Sequence, residues 1–174
     1  MSRELPKAAR VAKNGDIKCF LDITPTADSS TWADLRENFE ENGFNMNEVI
    51  QKIAFLVDSG WESSWVSGAS LENTYTGKYI KNDPLCEFLR DVEHEIGEKR
   101  VTNYRVSKFG KGFEGSCTIT KLAIGGGKGT DGAPIAMTIA FNGKPTLWTD
   151  TSSGTTSSTE TNPDETNSGD EATA

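Results

Sequence analysis

The sequence predicts a mainly β (α+β) fold, an antiparallel β-sandwich or barrel flanked by one or two short helices. Three observations carry this expectation. Apolar residues alternate with polar ones over about six segments, as strands with one buried face require. Two other segments instead repeat their apolar residues every three or four positions, the helical period. Gly-, Asn-, Asp- and Pro-rich turns separate the segments.

The first strand is expected at Ile17–Ile23, where Ile17, Cys19, Leu21 and Ile23 share one face and Pro25 ends the run. After Ser29-Ser30-Thr31, apolar Trp32, Leu35 and Phe39 recur at helical spacing with Gly43 beyond them, which predicts a short amphipathic helix. A long strand follows over Val49–Val57, with Val49, Ile53, Phe55 and Val57 on one face, interrupted by Gln51. The other face mixes Ile50, Ala54 and Leu56 with charged residues, so the strand should be covered on one side and partly on the other. Asp58-Ser59-Gly60 supplies turn chemistry, and Trp61, Ser63 and Trp65 open a second strand of a hairpin.

The second helix is better marked. Asp83 is placed as N-cap and Pro84 as first helical residue; Leu85, Phe88, Leu89, Val92 and Ile96 form the apolar stripe, and Gly97 closes it. Val101–Lys108, Phe113–Ile124 and Ile135–Phe141 each alternate as strands.

At 174 residues the chain is long enough for one domain with a substantial core. The expected division is a β-sandwich domain with an N-terminal arm over residues 1–148 and a disordered, Ser/Thr-rich acidic tail over residues 149–174. That tail holds no side chain more apolar than Ala, so nothing in it offsets the entropy of ordering. It also carries six of the carboxylates behind the net charge of −8, which leaves the body near −2. A near-neutral body lacks the surplus of Lys and Arg that tight phosphate binding draws on. Cys19, Cys86 and Cys117 are odd in number and widely spaced, as expected of buried thiols in a reducing compartment. No apolar signal segment or membrane-length run occurs, so the protein is expected to be cytosolic when made.

Groups that could carry chemistry are few. Gly125-Gly126-Gly127-Lys128-Gly129-Thr130 invites a phosphate loop, but there Lys must be followed by Ser or Thr and a helix, whereas Gly129 and a strand follow here; a flexible strand connection fits better. The single histidine, His94, stands between Glu93 and Glu95 on a polar helix side, and Asp91 with Glu95 has the look of a solvated helix face. Catalytic, cofactor-binding and metal-binding residues are therefore expected to be none, and the chain is not expected to be an enzyme. Trp61 and Trp65, at strand spacing, suit either a core or an interface; on an exposed sandwich face they could also stack on sugars, the reading of a carbohydrate-binding module.

From Glu48 to Pro145 the chain resembles the major tail tube proteins of siphophages of Gram-positive hosts. The parts stand in the family's order: NEVIQKIAFLVDSGW, then SSWVSGASLENTYTGKYIKNDPLCEFL, a Val-rich strand, FEGSCTITKLAIGGGKGTDGAPIAMTIAF and a closing NGKPT. Unlike many relatives, the sequence ends without an added immunoglobulin-like domain. The resemblance implies a tail-tube type of fold and a structural virion protein, polymerising into stacked hexameric rings around the channel for DNA ejection. The partners implied are other copies of the chain, the tape measure protein, the tail terminator and the distal tail proteins, with phage DNA passing through without tight binding. The place implied is the virion tail, and the host cytoplasm during assembly. A tube protein of a type VI secretion or contractile injection system shares the architecture.

On this resemblance, Trp61 to Asp83 corresponds to a loop extended onto the adjacent ring, with Trp61, Trp65, Leu71 and Tyr75 as candidate contacts between subunits or rings. A channel must not grip DNA, so carboxylates opposite an apolar face are candidates for the lumen: Glu48, Asp58, Glu62 and Glu114.

Overall fold

The computed structural model describes residues 12–54 and 61–149. Asp58, with Phe55 to Gly60, and the expected acidic tail beyond Thr149 lie outside the described residues. Eight strands form one antiparallel sheet: β1 (Lys18–Asp22), β2 (Trp32–Asp34), β3 (Phe39–Ala54), β4 (Glu62–Lys78), β5 (Val101–Lys108), β6 (Lys111–Ile124), β7 (Pro134–Phe141) and β8 (Thr146–Trp148). Their order is β2-β1-β5-β6-β7-β4-β3, with β8 paired to β6. The two ends of this order, β2 and β3, are joined in the chain only by a 3₁₀ turn, Leu35–Glu37. The sheet therefore curls back on itself around one core, with helix α1 (Pro84–Val92) packed into it.

The alternation sets this core. Ile17 just before β1, Cys19 and Leu21 from β1, Tyr104 and Val106 from β5, Cys117 and Ile119 from β6, and Ile135, Met137, Ile139 and Phe141 from β7 are all buried on one side of the sheet. Helix α1 adds Leu85, Leu89 and Val92. Asp83 caps it as expected, its side chain accepting from the Cys86 N–H at 3.0 Å. The helix ends at Val92, so Ile96 does not join the stripe and is exposed. Gly97, at φ +66°, instead opens a 3₁₀ turn.

Two expectations are corrected. Trp32 to Phe39 is not a helix: β2 pairs with β1 (Phe20↔Asp34, Asp22↔Trp32), one tight turn follows, and β3 begins. Asp34 fixes the turn by accepting from the Arg36 N–H, and a helix this short cannot outcompete strand pairing. Gly43, expected near the helix end, lies inside β3, where an added Cβ would stand 2.6 Å from Thr74 Oγ1. Trp61 to Asp83 is likewise not a loop but mostly one 17-residue strand, β4. Ser, Gly and Asn weaken a strand only mildly when both neighbours are paired, and β3 pairs along its whole length.

All three cysteines are buried free thiols. The glycine-rich segment joins β6 to β7, with Gly125, Gly126 and Gly127 at positive φ and the Gly125 N–H donating to the Pro134 carbonyl at 2.8 Å.

Candidate functional site

The β3–β4 hairpin divides into two parts. Glu72–Lys78 of β4 lies between β3 and β7. Beyond them, Met46–Ala54 pairs with Glu62–Leu71 and, among the described residues, with no other strand, so this outer half is a two-stranded arm. Nine or ten residues of strand reach about 30 Å.

The arm has two unlike faces. Met46 stands opposite Leu71, Glu48 opposite Ala69, Ile50 opposite Val66 and Lys52 opposite Ser64. The other face pairs Asn47 with Ser70, Val49 with Gly68, Gln51 with Trp65 and Ile53 with Ser63. A bulge lies between these registers at Val49/Ile50, with Ser67 the extra residue and its hydroxyl donating to the Val49 carbonyl at 3.1 Å. One extra residue switches the side on which later side chains point. The bulge thereby brings Val66 onto the face of Met46, Ile50 and Leu71.

That face continues the core side of the sheet, since Phe44 and Leu71 pack against the core and Tyr75 lies within it. Its outer part is uncovered: Met46 is 53% exposed, Ile50 57% and Val66 50%. The opposite face continues the far side of the sheet, where Gly43, Asn45, Glu72, Thr74 and Thr76 meet Ala136, Thr138 and Ala140 of β7, then Thr118 and Thr120 of β6. Most of these residues are small or uncharged; the same face also carries Glu41 opposite Thr76 and Lys78 opposite Pro134, so its charged groups include Glu41, Glu72 and Lys78.

The candidate residues fall across these surfaces. Glu48 and Glu62 are exposed on the apolar arm face, and Glu62 pairs with Lys52 at 3.6 Å. Glu114 is on the far side of the sheet, but Arg105 Nε donates to it at 2.7 Å, and that guanidinium also stacks on Trp32, 3.9 Å from the ring centroid. Trp65 lies on the polar arm face, and Trp61, 81% exposed, falls on the same face by alternation. Leu71 is half-buried against the core. Tyr75 is 2% exposed and belongs to the core, which removes it from any contact surface of the folded chain. The polar track of Asn45, Asn47, Glu72, Thr74 and Thr138 was missed. Its signal is a period-two placement of Asn and Thr in the FNMN and TYT stretches, uncharged apart from Glu72.

The remaining chemistry is sparse. His94 is exposed, 3.9 Å from Glu93. Among the described residues no group of three or more His, Cys, Asp or Glu side chains could hold a metal ion. No described helix is long and apolar enough to cross a membrane.

Solved structures share this architecture. The tail of the empty gene transfer agent particle, refined with helical C6 symmetry, superposes with a TM-score of 0.64 over 79% of this chain and 99% of that chain, at 15% identity. The chain has the tail-tube fold. The SPP1 tail tube matches with a TM-score of 0.57 over 80% of this chain and 81% of that chain, at 11% identity. The sheath–tube complex of the extracellular contractile injection system PVC matches at 0.51, covering 77% and 88%, again at 11% identity. No family model matches the chain, and no curated protein matches it in sequence.

Proposed function

We propose that this chain is the major subunit of a phage tail tube, of the siphophage kind found in Gram-positive hosts, assembling in the host cytoplasm into stacked hexameric rings. The observation that carries this is the β3–β4 arm. An isolated two-stranded ribbon is marginal in water at best, and this one exposes Met46, Ile50 and Val66 on one face. Its outer edge, β3, has sixteen residues that, among the described residues, pair on one side only. Other copies of the chain supply what is lacking. Sheets joined edge to edge around a ring close into one barrel with no free edge, and the apolar arm face packs on a neighbour.

In that arrangement the small polar face of β6, β7, β4 and β3 lines the channel, with Glu41 and Glu72 as carboxylates, Glu114 tied to Arg105, and Lys78 opposite Pro134. A wall poor in cations, with Arg105 already paired to Glu114, offers DNA phosphates little to bind, so the duplex passes without being held. The tape measure protein would occupy the same channel before DNA, and the terminator and distal tail proteins would cap its ends. Electron microscopy of the concentrated full chain tests the proposal: hollow tubes or stacked rings are expected, and a protein that remains monomeric at high concentration refutes it.

A further inference from the structure

The turn between β5 and β6 is built against local preference. Lys108 pairs with Lys111, which leaves a two-residue loop, Phe109-Gly110, with φ of +50° and +88°. These are the signs of a type I′ turn, whose first position favours Asn, Asp or Gly. For a bulky aromatic residue a left-handed backbone is an outlier, and strain of this kind gathers where function uses it. The ring gains little burial in return. Phe109 is 61% exposed, whereas Lys108 beside it folds back over the Phe44 ring, 3.4 Å from the centroid.

A pocket of matching chemistry lies between β2 and the start of α1. It measures about 310 Å³, with Phe20, Ile23, Trp32, Ala33, Pro84 and Leu85 in its walls. A cavity of about 150 Å³ already takes up benzene, so one Phe side chain fits. Of the acids around it, Asp34 is held by Arg36 and Asp83 caps α1, while Glu37 stands exposed. Lys111, exposed beside Phe109, is the matching charge. Leu21 stands opposite Tyr104. Phe109 lies five residues beyond Tyr104, and Ile23 two residues beyond Leu21 in the opposite direction, a separation of about 23 Å along the paired strands. Phe109 therefore does not reach the pocket of its own chain, whereas a second copy can present it.

We propose that Phe109 is a knob that enters the β2–α1 pocket of another copy of the chain, with Lys111 against that copy's Glu37. Knob and pocket are different surfaces, so each copy gives one such contact and receives another. Head-to-tail contacts of this kind close into rings or continue as open stacks, according to the rotation between copies. The inference rests on the assembly proposed above and names a contact within it that the β3–β4 arm does not supply.

Phe109→Asn tests the contact in the full chain, because Asn-Gly is the preferred pair for this turn. The variant monomer should melt at a temperature no lower than the wild type, while tubes disappear from its electron micrographs. Lys111→Glu and Glu37→Lys should each weaken assembly, and the two together should restore it, which a purely structural role of either residue would not produce. Tubes formed by Phe109→Asn as readily as by the wild type overturn the proposal and leave the tube reading standing. A lowered melting temperature in that variant also overturns it, since Phe109 would then serve its own fold, and so does a charge exchange without recovery. A wild-type chain that never assembles overturns the tube reading along with this contact.

Discussion

The hydroxyls of Tyr75 and Tyr104 meet 2.5 Å apart in the core, and Asn73 Nδ2 donates to the Tyr104 oxygen at 3.0 Å. Tyr104 is thus the hub that ties β4 to β5 across the interior. Tyr75→Phe removes one bond and leaves the Asn73–Tyr104 bond intact, a loss of about 1 kcal/mol. Tyr104→Phe strips both the Tyr75 hydroxyl and the Asn73 amide of this partner, so a larger loss, about 2–3 kcal/mol, is expected. Denaturant unfolding of the two variants measures the difference, and equal losses would deny Tyr104 its central place.

The same pair sets an alkaline limit. Burial, above all, pushes both hydroxyls well above the usual tyrosine value of 10.0. A folded-state value above the unfolded one means that the native state keeps its protons longer. Its stability is then complete below about pH 10 and is lost as pH rises through the tyrosine range and beyond. Tyrosinate absorbance should therefore appear together with unfolding in an alkaline titration. Absorbance from Tyr75 and Tyr104 rising near pH 10 in a folded protein would contradict their burial.

At the acid end the relevant group is Asp22, 1% exposed at the end of β1. Burial raises its carboxyl, but hydrogen bonds from Thr24, Ser30, Asn103 and Thr31 outweigh that and hold it below its ordinary value. A depressed carboxylate contributes stability above its unfolded value near 3.8, and that contribution is lost as pH falls through the lower folded value. Asp22→Asn should destabilise the protein at neutral pH and flatten the fall in stability below pH 4. A variant with an unaltered acid limb would show that this carboxylate is not the sensor.

Gly77 on β4 tests how closely the start of β3 approaches. An added Cβ would stand 2.2 Å from the Asn38 carbonyl oxygen and 2.6 Å from Phe39 Cα, both backbone atoms that cannot rotate away. Gly77→Ala is expected to cost about 1–3 kcal/mol and to disturb β3 at Phe39 first. Gly129→Ala, with nothing within 4 Å, serves as the neutral comparison in the same thermal melt.

The two arm faces predict opposite outcomes of charge substitution. Ile50→Asp or Val66→Asp places a carboxylate on the apolar face and should abolish assembly while leaving the monomer's melting temperature nearly unchanged, because both side chains are exposed in one chain. Asn47→Lys, on the polar face, should still permit tubes to form. If Asn47→Lys blocked assembly and Ile50→Asp did not, the faces would have been assigned the wrong way round.

Most of the body was legible in the sequence because one face of each strand is buried in the chain itself: the run from Ile135 to Phe141 gives β7 to within a residue, and Asp83-Pro84 gives the start of α1. The failures share a cause. Trp32, Leu35 and Phe39 have helical spacing, yet pairing of Phe20 with Asp34 and the immediate start of β3 override so short a local preference. For β4 the alternation of Trp61, Ser63 and Trp65 did mark the start of the hairpin strand, whereas the loop that the resemblance implied is not found; the arm half buries nothing within one subunit, so period-two burial left little mark beyond Trp65. The lumen candidates rest on charge, and two of them, Glu48 and Glu62, stand on the apolar arm face; under the proposed tube it is the opposite face, rich in Asn, Thr and Ala, that lines the channel. Nor could alternation alone reveal the bulge at Ser67, which moves Val66 from one face to the other.

The central claim is that this chain forms a tube whose channel wall is the Asn45, Glu72, Thr74 and Thr138 face, with the β3–β4 arm against a neighbouring copy. Cryo-electron microscopy of assemblies of the full chain tests it most directly. The account predicts a hollow tube of stacked rings in which Thr74 faces the lumen and Ile50 and Val66 are buried between subunits. A tube with Thr74 on its outer surface and the arm free in solvent, or no assembly at all, would contradict it.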